Sequence, residues 1–329
     1  MASSGGRLVL AYRPEGFRRI GGLQRIAQEA VEHLRALDPL QPLATLAKGK
    51  AGTLPHTSHC THLDRDDHLV IVGCDSPWAY GLALRTRLRG QPVSMLPSFH
   101  DPASAIHRRR ARLAQRALRT LQHLGVVVHV QTAHERKLLA SGPGLHCRLS
   151  GHGMPATIRH RLLLPEPSAE LQREYRPIDL LYLGRPTAQK GWPCFVELSR
   201  TLDLRCEAIM PTAPARPPGF TVHLHPSDAA VRALLDQAKL VVIPARYESF
   251  GIAQLEALMA GCVVPILGHW PLWEGCPVLQ WQGFSPIELA QGCRQLCSDD
   301  DLRHRLRQAQ LRHLREHPIV RTPVLPGLP

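Results

Sequence analysis

A buried strand, a loop and a helix between residues 239 and 266 constrain the fold of this chain more than any other stretch. The four apolar residues 240–243 have the length and β-branching typical of a parallel strand buried on both faces. The loop 246–251 follows, then a helix to about Ala260, and a second apolar run begins at Val263. Such a strand–loop–helix–strand unit predicts an α/β protein and places ligands at the carboxyl end of the first strand.

Two acidic residues of this unit, Glu248 and Glu256, are candidate ligand-binding groups. Ile252, Leu255 and Met259 predict the apolar stripe of the helix, and Glu256 projects from the flank of that stripe. A carboxylate without a partner there would cost several kcal/mol by order of magnitude, and ligand hydroxyls would provide a partner. Alternatively, Glu248 is a solvated loop acid and Glu256 pairs with a nearby arginine.

The start of the same helix is a candidate phosphate site. Ser249 is the predicted N-cap, which leaves the N–H groups of Phe250, Gly251 and Ile252 free to face the cleft. Free N–H groups and the helix dipole attract anions, so we expect a phosphate group to bind here.

The residues from Glu248 to Glu256, Glu-Ser-Phe-Gly-Ile-Ala-Gln-Leu-Glu, are followed by Ala-Leu-Met-Ala-Gly. This segment resembles the Glu-x7-Glu signature of retaining GT-B glycosyltransferases, specifically glycosyltransferase family 4. The resemblance implies an α/β fold of two Rossmann-like domains facing a cleft (GT-B). It also implies transfer of a glycosyl group from a nucleotide sugar, with retention at the anomeric carbon, no divalent metal and no cofactor besides the donor itself.

A second motif, Gly-Arg185-Pro-Thr-Ala-Gln-Lys190-Gly, follows a strand predicted for 178–183 and resembles the family's Gly-Arg-x4-Lys-Gly. The resemblance implies that both cations bind one diphosphate, each charge-assisted hydrogen bond contributing roughly 1.5–3 kcal/mol. It further implies that Glu256 binds the ribose hydroxyls and Glu248 the donor-sugar hydroxyls. Only five of the 40 basic residues are lysines, so Lys190 is harder than Arg185 to explain as general surface charge.

Two places in the first half of the chain also resemble the family. Gly21 and Gly22 separate a predicted strand from a predicted helix, like the family's phosphate or acceptor loop. His100, followed by Asp101, resembles the His-Asp at the donor-sugar edge of the cleft. The implied catalytic set is His100, Arg185, Lys190 and Glu248. The implied donor-binding set is Gly21, Gly22, Arg185, Lys190, Glu248, Ser249, Phe250, Gly251, Ile252 and Glu256.

The domain organisation follows from these motifs and from composition. We expect an N-terminal Rossmann-like acceptor-side domain at 1–155, a linker rich in Pro, Glu and Arg at 156–177, a C-terminal nucleotide-sugar-binding domain at 178–317 and a Pro-rich tail at 318–329. Two segments depart from the family pattern. His152 stands where Asn is usual. The proline-rich stretch within 206–226 replaces a Gly-rich turn near the nucleotide base, so the sequence does not predict which base is bound.

The formal net charge of +13 comes mostly from arginine and implies attraction to polyanions. Arg108, Arg112, Arg116 and Arg119 are predicted to lie on one helical face, opposite the apolar residues Ile106, Leu113, Ala117, Leu121 and Leu124. This helix is either a solvated helix packed on its sheet or a surface that contacts anionic lipid headgroups. Aromatic residues make up 5% and are not interleaved with the basic ones, which disfavours a nucleic-acid platform.

The chain has no apolar run long enough for a transmembrane helix, and its apolar start is too short for a signal peptide. Its nine cysteines are scattered and lack a Cys-x-x-Cys pair, so we expect free thiols in the cytoplasm. The basic helical face adds the expectation of a peripheral contact with the inner face of the membrane. His56, His59, Cys60 and His62 lack a second metal-binding pair and are interpreted as a polar loop.

The expected acceptor is an unidentified sugar, glycan or lipid-linked molecule. Three other functions stay open at this point. The chain could be a nucleotide-sugar-binding protein that has lost transfer, a basic nucleic-acid-binding protein, or a sugar-nucleotide epimerase built on the same fold.

Overall fold

The chain divides into two compact units, Met1–Ala156 with Pro318–Pro329, and Thr157–His317. The structure is a computed structural model. It describes residues 6–12, 27, 31–32, 34–35, 38–40, 42–47, 56–73, 77–97, 108–130, 136, 147–149, 156–164, 175–245, 248, 251–267, 271–273, 275–276, 280–281 and 286–317.

The first unit is built on a seven-stranded sheet in which all neighbouring strands are parallel. Their spatial order is β3-β2-β1-β4-β5-β6-β7, which is a doubly wound order. The strands are β1 (Leu8–Tyr12), β2 (Leu43–Ala47), β3 (Ser58–Cys60), β4 (His68–Val72), β5 (Val93–Leu96), β6 (Val127–Val130) and β7 (Cys147–Leu149). Two helices have described bounds, α1 (Pro77–Leu88) and α2 (Arg108–His123).

Burial on both faces explains why the central strands of this sheet show no alternation of polar and apolar residues. All four residues of β5 are buried, as are the last four of β4. Short apolar runs at 7–12, 68–73, 92–96 and 126–131 predict strands, and β1, β4, β5 and β6 confirm them. The strands β2 and β3 were not predicted. The interpretation of 56–62 as a polar loop is wrong for β3, because Cys60 is buried and β3 pairs with β2.

The predicted apolar face of α2 is wrong at Leu113, which is 63% exposed. Among the α2 residues whose exposure the structure describes, the buried ones are Leu118 and Leu121, about one helical turn apart, and Leu118 was missing from the prediction. Arg119, predicted to face outward, is only partly exposed, because it lies about 100° around the helix from Leu118. Arg112 does lie on the exposed side, next to Leu113.

The second unit contains a four-stranded parallel sheet in the order β10-β9-β8-β11 and a separate parallel pair, β12 with β13. The strands are β8 (Ile178–Leu183), β9 (Cys206–Met210), β10 (Thr221–Leu224), β11 (Ala238–Val241), β12 (Ile266–Leu267) and β13 (Gln280–Trp281). The helices are α3 (Ala156–Leu163), α4 (Trp192–Thr201), α5 (Asp228–Asp236), α6 (Ile252–Met259), α7 (Pro286–Ser298) and α8 (Asp300–Glu316).

Local capping explains where several of these helices begin. Ser227 accepts a hydrogen bond from the Ala230 N–H at 3.2 Å and is the N-cap of α5. Asp299 caps α8 in the same way, through the Leu302 N–H at 2.8 Å. The helix α3 occupies the first part of the segment for which the sequence predicts a linker, and its Leu162 is buried.

The order of the second sheet places one topological switch point between β8 and β11. From β8 the chain crosses to β9 on one side, and it later returns to place β11 on the other side. In such sheets ligands bind beyond the carboxyl ends of the two strands that flank the switch point. The loops that begin at Gly184 and at Pro244 therefore define the place to search for a site.

None of the described helices is both long enough and apolar enough to cross a membrane.

Candidate functional site

A buried tyrosine on β8 organises the first of the two loops. Tyr182 is buried, and its hydroxyl lies 2.6 Å from the carbonyl oxygen of Arg185 and 3.3 Å from that of Lys190. Thr187 caps the short 3-10 turn that ends at Lys190, accepting a hydrogen bond from the Lys190 N–H at 3.4 Å. The tyrosine hydroxyl thus fixes both ends of the segment that carries the two predicted cations.

Gly191 brings this loop against the second one. Its φ of +72° lies in the left-handed region, which glycine adopts without steric cost. A Cβ atom at Gly191 would lie only 1.9 Å from the carbonyl oxygen of Pro244. The backbones of the two loops can therefore approach this closely only because residue 191 has no side chain.

The first and second loops meet through an ion pair between Lys190 and Glu248. The Lys190 Nζ donates a hydrogen bond to Glu248 Oε1, and the two side chains are 23% and 11% exposed. These residues are 58 positions apart in the chain. The structure thus brings together two of the four residues that carry the enzyme prediction.

Burial raises the pKa of the Tyr182 phenol well above its ordinary value; the nearby Glu248 charge raises it further, and Arg185 lowers it. The phenol is therefore neutral at physiological pH. Arg185 itself is exposed on the same loop. The side chains of Glu248 and Arg185 therefore both lie near enough to Tyr182 for their charges to shift its pKa.

The helix α6 begins at a glycine, not at the predicted serine. Gly251 is the N-cap, with a φ of +76°, and the helix starts at Ile252. Ser249 as the N-cap is therefore wrong, because the left-handed turn that starts the helix needs a residue without a side chain. The predicted apolar stripe is right for Leu255, whereas Ile252 and Met259 are only partly buried. Glu256 is half-buried on α6.

Gln254 is a residue of this helix that the sequence reasoning missed. It is 1% exposed, and neither its amide nitrogen nor its amide oxygen has a hydrogen-bond partner among the residues that the structure describes. Its side chain packs directly over Gly251, where a Cβ atom would lie 2.2 Å from Oε1. The signal that could have identified Gln254 is a polar residue on the otherwise apolar face of α6. In the same way, a tyrosine within the apolar strand β8 could have identified Tyr182 as the residue that organises the first loop.

Several predicted residues lie outside the part of the chain that the structure describes: Gly21, Gly22, His100, Asp101, His152, Ser249 and Phe250. Of the donor-binding set, Arg185, Lys190, Glu248, Gly251, Ile252 and Glu256 are described, and all are in the second unit. Within the described residues, no group of three or more His, Cys, Asp or Glu side chains is placed to hold a metal ion.

Two solved structures show the class of fold. HepE from Anabaena, solved in complex with UDP and glucose, matches with a TM-score of 0.68 and 14% identity over 96% of this chain and 97% of that one. WaaG, a glycosyltransferase involved in lipopolysaccharide biosynthesis, matches with a TM-score of 0.64 and 16% identity over 95% and 97%. The predicted GT-B fold class is confirmed.

Similarity in sequence points to a particular group of glycosyltransferases within the GT-B fold class. Residues 218–266 match the family described as glycosyl transferases group 1. Alpha-D-kanosaminyltransferase of Streptomyces kanamyceticus is 28% identical in an alignment of 164 residues, which covers 42% of this chain and 42% of that protein. The chain thus has the GT-B fold, and residues 218–266 of its second unit match glycosyl transferases group 1. The resemblance inferred from the residues between Glu248 and Glu256 is confirmed for that match, whereas family 4 membership and retention stay predictions.

Proposed function

We propose that this protein transfers a glycosyl group from a nucleotide sugar to a sugar, glycan or lipid-linked acceptor, with retention at the anomeric carbon and without a divalent metal. One observation carries the proposal. The ion pair of Lys190 with Glu248 lies at the switch point of the second sheet, where a parallel α/β sheet binds its ligands. The group 1 segment at residues 218–266 includes Glu248 and Glu256 and supports the same site.

The chemistry of transfer assigns a role to each side chain. A departing nucleoside diphosphate develops negative charge, which fixed donors must stabilise. Lys190, Arg185 and the N–H groups at the start of α6 provide those donors in place of a metal ion. Glu248 binds hydroxyl groups of the donor sugar, and Glu256 those of the ribose. His100 acts at the sugar, and the leaving phosphate oxygen takes the proton of the acceptor.

Two similar proteins indicate which donors to test first. HepE is solved with UDP and glucose, and the curated relative is a kanosaminyltransferase, which supports a sugar carried on a nucleoside diphosphate. We therefore take UDP and UDP-glucose as the first probes, followed by a panel of other nucleotide sugars. Formation of a glycosylated product from one of them would establish the transferase.

Calorimetry tests the donor site without knowledge of the acceptor. We expect Glu256→Ala to weaken UDP binding at least tenfold, because the ribose loses a charge-assisted hydrogen bond worth roughly 1.5–3 kcal/mol. Glu316→Ala, which removes an exposed acid from the end of α8, serves as the matched control. Equal UDP affinity of wild type and Glu256→Ala would contradict the assignment.

The other functions predict different outcomes of the same measurements. An inactive nucleotide-sugar-binding protein binds UDP but forms no product. An epimerase changes the sugar of the donor without any acceptor. A nucleic-acid-binding protein binds oligonucleotides with a steep salt dependence and does not require Glu256.

We further propose that the protein works in the cytoplasm and contacts the inner face of the membrane through α2. The observation that favours this contact is the exposed side of the helix, where Leu113 is 63% exposed between Arg109, Arg112 and Arg116. Exposed leucine beside exposed arginine suits a surface with anionic headgroups above an apolar layer, and each basic residue contributes about 1 kcal/mol there. The predicted contacts are Arg108, Arg112, Arg116 and Arg119, of which Arg119 is only partly exposed.

Vesicle sedimentation tests this contact. Vesicles of phosphatidylcholine with phosphatidylserine should bind the protein at low salt, whereas phosphatidylcholine alone should not. Arg112→Glu combined with Arg116→Glu should abolish binding. Arg305→Glu combined with Arg312→Glu, the same charge change at two exposed positions of α8, should leave it intact. Absence of wild-type binding at low salt would remove the membrane proposal and leave the transferase proposal untouched.

A further inference from the structure

We propose that Glu248 makes this site prefer an intact nucleotide sugar over a free nucleoside diphosphate, because it competes with the diphosphate for Lys190. The inference rests on the proposed function, since it concerns the ligand of the same site. It adds a second role to Glu248, which is to weaken binding of the product that remains after transfer.

The competition follows from the ion pair itself. Glu248 Oε1 accepts a hydrogen bond from Lys190 Nζ, so the ammonium group that would bind a phosphate already has an anionic partner. At 23% and 11% exposure the two side chains are screened by solvent less than a pair on the open surface. A diphosphate that reaches Lys190 therefore comes close to the negative charge of Glu248, and the two anions repel each other.

Among the described residues, the groups near Glu248 other than Lys190 do not contact its carboxylate as cations. The Tyr182 hydroxyl lies within hydrogen-bond distance of the carbonyl oxygens of Arg185 and Lys190, so it is engaged with the backbone. Arg185 is exposed and therefore acts through solvent. In the part of the chain that the structure describes, Lys190 is the cation in contact with Glu248, and a phosphate that binds Lys190 must share it or displace the carboxylate.

The two ligands differ in what they offer this carboxylate. The sugar of a nucleotide sugar presents hydroxyl groups, which donate hydrogen bonds to Glu248. These bonds replace the part of the Lys190 interaction that Glu248 loses when Lys190 binds a phosphate. A free nucleoside diphosphate has no such donors at that end. Its terminal phosphate also carries about one more negative charge at neutral pH, because the second pKa of a phosphate monoester is about 6. Repulsion by Glu248 is therefore strongest for the product.

Calorimetry with two ligands, UDP and inorganic pyrophosphate, tests the inference. For Glu248→Gln we expect both ligands to bind about five- to tenfold more tightly than they bind wild type, because the repelling charge is gone while the side-chain shape is kept. UDP-glucose should gain less than UDP, so the ratio of the two affinities should fall. Glu197→Gln removes the same charge from an exposed position on α4 and should change neither affinity more than about twofold.

Further variants separate charge from loop structure. Glu248→Asp keeps the carboxylate, so its preference should stay close to that of wild type even if the shorter side chain shifts the loop. In the background of Lys190→Gln, the change Glu248→Gln should give a smaller gain, since the cation for which the anions compete is absent. Thermal melting of each variant without ligand reports whether it is folded.

The outcomes distinguish this inference from the proposed function. If wild type binds UDP and Glu248→Gln binds UDP and pyrophosphate no more tightly, the inference is overturned and the donor site stands. If wild type binds no nucleoside diphosphate, the proposed function fails. Pyrophosphate then still tests whether Glu248 opposes a phosphate at Lys190, and an unchanged affinity in Glu248→Gln overturns the inference as well.

Discussion

Single buried polar atoms define the geometry of the candidate site at the residue scale. Tyr182 is the clearest case, because its hydroxyl is the hydrogen-bond donor within reach of both the Arg185 and Lys190 carbonyl oxygens. A buried hydroxyl without a partner costs free energy, and so does a carbonyl group that loses a donor, although the Arg185 carbonyl also accepts a hydrogen bond from the Thr187 N–H at 2.8 Å. The same atom therefore contributes to the stability of the second unit and to the position of Lys190.

The substitution Tyr182→Phe removes only that oxygen. We expect it to lower the free energy of unfolding by about 1–2 kcal/mol and to weaken UDP binding severalfold, because the loop between the two cations loses its anchor. Chemical denaturation measures the first effect and calorimetry the second. Tyr175→Phe, at a tyrosine that is exposed, is the control and should change neither quantity. Unaltered UDP affinity in Tyr182→Phe would show that the anchor is not needed for binding.

Gly191 shows how a missing side chain positions two loops. We expect Gly191→Ala to lower the free energy of unfolding by about 2–4 kcal/mol, because a methyl group at a φ of +72° would also collide with the Pro244 carbonyl. Gly219→Ala is a matched control, since Gly219 has a φ of +89° but no atom of the described residues beyond its chain neighbours lies within 4 Å of a Cβ placed there. It should cost only about 1 kcal/mol, from the backbone alone. Equal losses in the two variants would exclude a contribution of the collision.

At the scale of elements, one arginine connects the start of β11 with the end of α6. The Arg176 guanidinium donates hydrogen bonds to the carbonyl oxygens of Ala238 at 2.8 Å and Ala260 at 2.9 Å. The carbonyl of Leu235, in the last turn of α5, accepts a third at 3.3 Å. Carbonyls at a helix end lack partners within the helix, so one planar cation satisfies several of them at once. This residue lies in the segment that the sequence assigns to the linker.

Arg176→Ala should therefore destabilise the second unit by about 2–4 kcal/mol, since the carbonyl groups of three elements lose a charged donor. Arg176→Lys should recover less than half of the loss, because an ammonium group cannot reach all three oxygens in one plane. The control is Arg312→Ala, at an exposed arginine of α8. Chemical denaturation of the three variants compares them, and a loss below about 0.5 kcal/mol for Arg176→Ala would contradict this account.

At the scale of the whole molecule, a buried histidine makes the free energy of unfolding depend on pH. His129 on β6 is 1% exposed, and burial, with the charges of Arg148 and His68, lowers its pKa from 6.5 to about 4. Burial also lowers the pKa of His68, whose Nε2 lies 3.0 Å from Ser94 Oγ. Both histidines bind a proton more readily in the unfolded chain than in the folded one.

This difference gives the pH dependence its sign. The unfolded chain takes up protons first, so the stabilisation is complete above pH 6.5 and is lost as the pH falls from about 6.5 to about 4. A shift of this size corresponds to about 3 kcal/mol for His129. Denaturation curves across this range should show a steep loss in wild type and a shallower one in His129→Gln. His59→Gln, at an exposed histidine of the same unit, should keep the wild-type slope.

The sequence alone determined the class of the fold and much of its element order. Apolar β-branched runs predicted β1, β4, β5, β6 and β8, because a strand buried on both faces has no room for polar residues. Among the unpredicted strands, β3 and β10 lie at a sheet edge, where polar side chains are tolerated and the apolar signal fades. The five-residue strand β2 lies inside the first sheet and pairs on both sides, so this reason does not apply to it. The Glu248–Glu256 spacing pointed to the group 1 segment because ligand chemistry fixes which residues a loop must carry.

Only the tertiary structure decided which of those residues meet. No local pattern could show that Lys190 contacts a carboxylate 58 residues away, because that contact depends on the order of strands in the sheet. The same holds for Gly191 against Pro244 and for Leu113, whose exposure depends on which side of α2 packs on the sheet. Periodicity places a residue on a face of its own element, whereas packing between elements decides what that face touches.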